Sequence, residues 1–182
     1  MPLALAALFA VLVAALVVGF VAVTMYNAVV ALQRRIDKAW ANIEVGLKQR
    51  HDQLPNLVAA VRGLMAFEAE VLGDIARLRA AYDDHAPIPQ QATTSVATTR
   101  AVRQLIGVVE AYPELRSAHQ VRELQDEITR LEDILADRRE LYNDQVYRYN
   151  TRIAQVPAVL VAGLFGWRPR PFFDAAEGSG EG

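Results

Sequence analysis

Residues 121–153 read VRELQDEITRLEDILADRRELYNDQVYRYNTRI, in which Val121, Leu124, Ile128, Leu131, Leu135, Tyr142, Val146, Tyr149 and Ile153 recur at steps of three, four or seven. Those steps put the apolar side chains on one stripe of an α-helix and most of the charges on its other face. Ser117 and Gln120, three residues apart just upstream, fit a capping box and predict where the helix starts. A helix this long and this one-sided must lay its stripe against other helices, so the next question is whether the rest of the chain supplies them.

Working upstream, Val96, Thr99, Val102, Ile106 and Val109 form a weaker stripe that ends at Tyr112-Pro113. Before it, Asp83-Asp84-His85-Ala86-Pro87-Ile88-Pro89 predicts a loop stiffened by two prolines. Leu57, Val61, Leu64, Val71, Ile75, Leu78 and Tyr82 mark another helix at heptad-like, coiled-coil spacing, with Glu68 on the same stripe. Val29, Leu32, Ile36, Trp40, Ile43 and Leu47 mark the first, and His51-Asp52-Gln53-Leu54-Pro55 predicts a reversal after it, with Pro55 in the first turn of the next helix. No stretch alternates with period two, so the fold class is all-α: an up-down four-helix bundle over residues 27–155.

Residues 1–26 are of another kind. From Leu3 to Val23 every residue is apolar or Gly, and no charge appears before Arg34. At about 1.5 Å per residue this run can cross about 30 Å of hydrocarbon, which predicts a single-pass transmembrane anchor. A cleaved signal peptide would need a basic leader and a shorter apolar run. Arg34, Arg35, Lys38, Lys48 and Arg50 all follow the span, so the bundle is expected on the cytoplasmic side and the N-terminus outside.

In an up-down bundle the fourth helix ends where the first began, which brings the apolar segment 156–174 back toward the membrane. Val156-Pro157-Ala158-Val159-Leu160-Val161-Ala162-Gly163-Leu164-Phe165-Gly166-Trp167 is too short to span. It either caps the open end of the core or lies on the lipid surface. Residues 175–182, rich in Gly and Glu, are expected to be a disordered tail.

Composition excludes much chemistry. The chain has no cysteine, which removes disulfides, zinc ribbons, iron–sulfur clusters and thiol nucleophiles. A formal net charge of -2 without a basic patch gives no footprint for nucleic acid. No Glu-x-x-His occurs, so a di-iron bundle site is not signalled, and His51, His85 and His119 fall in or near three separate predicted loops. Phosphate-binding glycine loops and nucleophile elbows are absent, so no enzyme, metal or cofactor is expected. The remaining candidates are polar residues in or beside the stripes: His51, Glu68, Asn143 and Asn150. Each either sets helix register or marks a polar pocket or docking notch.

The chain also resembles a known family. Tyr26-Asn27, Asp37-Lys38-Ala39-Trp40-Ala41-Asn42-Ile43 and Leu47 through Val58 are similar to the signature of the LemA family. Glu110-Ala111-Tyr112-Pro113-Glu114-Leu115, Leu124-Gln125, Tyr142-Asn143, Tyr149-Asn150-Thr151-Arg152-Ile153 and Phe172-Phe173-Asp174 resemble its later blocks in the same order. The resemblance implies a bacterial inner-membrane protein with a bromodomain-like four-helix bundle, no established enzymatic activity and, from a subgroup linked to magnetosome formation, scaffolding at a membrane. Phe67 departs from the family's frequent His before Glu68, and Ser117-Ala118-His119-Gln120 departs from an Asn-bearing stretch. The expected function is a membrane-anchored scaffold that recruits protein partners, with possible self-association. A small-ligand or metal-binding sensor and a membrane-shaping oligomer are the alternatives.

Overall fold

The computed structural model describes residues 2–62, 69–113 and 119–174. Glu68, Leu64, Ser117 and the predicted tail fall outside the described residues. Within them the chain is helical with no strand: α1 (Pro2–Arg62), α2 (Ala69–Ala80), α3 (Ile88–Ala111), α4 (His119–Ala154) and the short α5 (Ala158–Val161).

The reversal expected at residues 51–55 does not occur. α1 runs without interruption to Arg62, with Pro55 inside it. Proline in a helix interior removes one hydrogen bond and crowds the carbonyl four residues back, at a cost of about 3 kcal/mol. Burial outweighs it: Leu54, Leu57 and Val61, which flank Pro55 on one face, lie fully inside. Each such side chain contributes about 1.5–3 kcal/mol when removed from water. The residues read as the start of a second helix thus belong to α1.

The chain divides into two compact units. One comprises Met1–Asp37 with Gln145–Arg170, the other Lys38–Asp144 with Pro171–Gly182. In the first, α1 begins with a stretch from Leu3 to Val23 that is exposed throughout and is long and apolar enough to cross a membrane. Further along, Met25, Val29 and Ile36 are buried on α1, as are Val146, Tyr149 and Ile153 on α4, and Gln33 Nε2 donates to Tyr149 Oη at 3.2 Å.

In the second unit α1 and α4 run antiparallel. Arg138 Nη1 donates to the Asn42 carbonyl (2.7 Å), Arg50 pairs with Glu132 (2.9 Å), and Gln53 Nε2 donates to Glu127 Oε1 (2.9 Å). Gly46 lets the two helices approach closely, since a Cβ there would lie 2.7 Å from Leu135 Cδ2 and 3.0 Å from Arg138 Nη1. α2 and α3 form a hairpin whose core joins Ile75, Val102, Leu105 and Val109 to Leu57, Val61, Val121 and Ile128. The buried face of α3 differs from the predicted stripe. Gln91, Ala92, Ser95, Thr98, Ala101, Val102, Leu105 and Val109 point inward, whereas Val96, Thr99 and Ile106 are half-buried.

Candidate functional site

The turn of α3 has a local cause. Arg50 sits on the apolar stripe of α1, three residues after Leu47 and four before Leu54, and is 4% exposed. A buried guanidinium must find acceptors. Its Nη1 donates to Glu132 Oε1 (2.9 Å) and Thr99 Oγ1 (3.0 Å), and its Nη2 to Ser95 Oγ (2.9 Å). Thr99 Oγ1 in turn donates to Glu132 Oε2 (2.5 Å). Three helices therefore meet in one charged network, and Ser95 and Thr99, one turn apart on α3, must face it. Sequence reasoning missed Arg50 because the expected break at His51 placed it at a helix end. The signal was its position in an otherwise apolar stripe.

His51, one residue on, is in mid-helix rather than in a turn. Its ring stacks on Tyr82 with centroids 4.7 Å apart. Burial, and then the positive charge of Arg79, hold the imidazole below its ordinary value, with Asp52 opposing. Burial and then Asp84 push the Tyr82 hydroxyl up. A void of about 20 Å³ lies against His51, Arg50, Tyr82 and Gln91, the size of a single water molecule. Gln91 Nε2 donates to the Asp84 and Ala86 carbonyls and so closes the turn between α2 and α3. In that turn Asp83, Asp84 and His85 place ligand-type atoms within 4.8 Å of one another, all exposed. They are bonded among themselves: His85 N donates to Asp83 Oδ1, and His85 Nδ1 lies 2.5 Å from Asp84 Oδ1. The hydrogen bond that Asp84 accepts from the His85 ring raises the imidazole and lowers the Asp84 carboxyl.

The two asparagines hold the extended chain that follows α5. In the first unit, Asn150 Oδ1 accepts from Arg170 N (2.8 Å) while its Nδ2 donates to Arg170 O (3.0 Å). In the second, Asn143 Oδ1 accepts from Phe173 N (2.8 Å), and its Nδ2 reaches Phe173 O and Asp174 Oδ1 at 3.4 Å. Tyr142 Oη donates to Pro171 O (2.9 Å). Each carboxamide bonds the backbone N–H and C=O of one residue as a strand neighbour would, using both its donor and its acceptor. The local sequence Pro169-Arg170-Pro171-Phe172-Phe173 suits this role. Prolines favour extended backbone and lack N–H groups, while the bonded N–H groups belong to Arg170 and Phe173. Phe173, buried, packs 5.8 Å from the ring of Trp40, which also meets Tyr142 at 5.7 Å.

The segment between α4 and this strap divides its apolar residues between inside and outside. A turn ending in Gly166, with φ +66°, bonds Trp167 N to Ala162 O (2.9 Å) and Gly166 N to Gly163 O (3.4 Å), the two bonds of a Schellman motif. It folds Trp167 inward, against Phe165 (5.0 Å) and Tyr26 (6.2 Å), with Tyr26 and Phe165 5.2 Å apart. Leu160 and Leu164 remain 77% and 83% exposed. Trp167 is buried, and the leucines are left facing outward.

Each nominated position among the described residues has a local role. His51 stacks, Asn143 and Asn150 bind backbone, and Glu68 is outside the described residues. A comparison with curated proteins finds no match. The LemA family model matches residues 39–181, which take in α1 from Ala39 onward and all the helices after it. With that match extending over most of its length, the chain belongs to the LemA family.

Proposed function

We propose that this protein is a membrane-tethered, non-catalytic scaffold that presents its helical bundle to protein partners at the cytoplasmic face of a bacterial membrane. The observation that carries the reading is the exposed apolar surface of the first unit, present both on α1 and on the segment after α4. The bare stretch from Leu3 to Val23 is followed by Tyr26, which packs on Phe165 and Trp167, and Leu160 and Leu164, shortly before those rings in the chain, stand exposed. Aromatic clusters of this kind suit the boundary between hydrocarbon and water. Each exposed leucine would contribute about 1.5–3 kcal/mol on entering lipid. The segment 156–167 then serves as a second, shallow membrane contact. The basic residues after the span favour a cytoplasmic bundle.

Photo-crosslinking from three single positions in native membranes tests both halves. A probe at Leu164 is expected to capture lipid. Probes at the exposed Arg122 and Glu140 of α4 are expected to capture the same one or few proteins each time, with capture lost when residues 2–24 are deleted. A Leu164 probe that never meets lipid sinks the membrane contact, and α4 probes that capture nothing but the chain itself sink the scaffold.

A further inference from the structure

A groove between α3 and α4 in the second unit carries uncompensated positive charge. It encloses about 570 Å³, within the roughly 300–1,000 Å³ usual for small-molecule sites. Arg100 and Arg103 reach it from α3 and Arg139 from α4, all exposed. None of the three makes an ion pair or side-chain hydrogen bond among the described residues, unlike Arg77, Arg138 and Arg170. Arg50 and Glu132 lie in the lining with their charges already matched, and Asp133 is the remaining carboxylate. Four guanidiniums against two carboxylates leave an excess of two positive charges, on a chain whose formal net charge is -2.

Like charges gathered in a cleft repel one another, and an anion relieves the repulsion. Guanidinium forks bind oxyanions two bonds at a time, and forks approaching from two helices suit an anion with three terminal oxygens better than a planar carboxylate. A phosphate monoester carries about −1.5 to −2 at pH 7, close to the excess in the groove. Val96, Leu135 and Phe173 add an apolar wall. We propose that this groove binds a phosphate monoester with an apolar substituent, the phosphate held by Arg100, Arg103 and Arg139 and the substituent against Leu135 and Phe173. The site is distinct from the membrane contact and stands or falls separately from it.

Calorimetric titration of the full-length protein in detergent with phenyl phosphate tests the assignment, with phenol and inorganic phosphate as controls. Phenyl phosphate is expected to bind, inorganic phosphate more weakly and phenol not at all. Arg103→Glu and Arg139→Glu, on different helices, are each expected to weaken binding at least about tenfold. Arg122→Glu, exposed elsewhere on α4, is expected to leave it unchanged. Circular dichroism confirms that each variant remains folded. Dihexanoyl phosphatidic acid separates two sources of the same chemistry: tighter binding than phenyl phosphate assigns a lipid headgroup, and weaker binding a soluble ester. No heat at about 1 mM phenyl phosphate, or equal weakening by Arg122→Glu, overturns the proposal.

Discussion

α3 and α4 both lie in the same bundle, yet they are held by different forces. α4 buries Val121, Ile128, Leu135, Tyr142, Val146, Tyr149 and Ile153, a continuous apolar seam. α3 buries Gln91, Ser95 and Thr98 among its inward residues and turns Thr99 toward a charge on α1. Hydrophobic burial is non-directional and roughly proportional to area, so it fixes which side of a helix is inside. Hydrogen bonds to a buried ion are directional, and around Arg50 they fix rotation about the helix axis as well. One helix is placed by area and the other by angle.

The largest expected effect comes from breaking the polar side of this contrast. Glu132→Ala leaves Arg50 charged and buried without its counter-ion, and is expected to lower stability by about 3–5 kcal/mol in denaturant or thermal melts. The double variant Arg50→Met/Glu132→Leu is expected to recover most of that loss. If it does not, the network contributes more than charge matching. On the apolar side, Ile128→Ala is expected to cost about 2–5 kcal/mol by the same measurement. Ser95→Ala removes one of several acceptors of Arg50, and a smaller loss of about 1–2 kcal/mol is expected. A change near zero would show that α3, too, is placed mainly by packing there.

The smallest effect is in pH. The folded protein holds His51 below its ordinary value of 6.5, so the unfolded chain binds that proton more readily. The contribution of a neutral His51 is complete above about pH 6.5 and declines as pH falls below it. His51→Asn is therefore expected to flatten the loss of stability between about pH 7 and pH 5 in parallel melts. His85, raised by Asp84, works in the opposite sense, and His85→Gln is expected to steepen the same slope.

The sequence made α4 legible because area is additive along a stripe: each of its nine apolar positions is buried or half-buried. The course of α1 was not legible at Pro55, since a local rule against proline competes there with burial of Leu54, Leu57 and Val61, whose partners lie far along the chain. α3 was misjudged by about one position because nothing local announces that Arg50 would face Ser95 and Thr99. Asn143 and Asn150 were visible as a polar pair on one helical face. Their purpose was hidden, since what they hold is backbone 20 and 30 residues downstream. The unpaired arginines drew no attention because Arg100, Arg103 and Arg139 resemble any solvated charges until two helices set them around one groove.

The asparagine contacts have one more consequence, for which residues the C-terminal strap can accept. A carboxamide that grips the backbone of one residue is blind to that residue's side chain, so Asn150 and Asn143 ask only for an N–H at positions 170 and 173, while the ion pair of Arg170 with Asp37 and the burial of Phe173 against Trp40 are separate demands. Nineteen amino acids satisfy such a reader at these two positions, and proline, which has no N–H to offer, does not. The neighbouring Pro169 and Pro171 sit at places where that same omission is harmless. As far as the asparagines are concerned, the strap's spelling is free and its grammar consists of where proline stands; the ring of Phe173 is fixed by Trp40 instead.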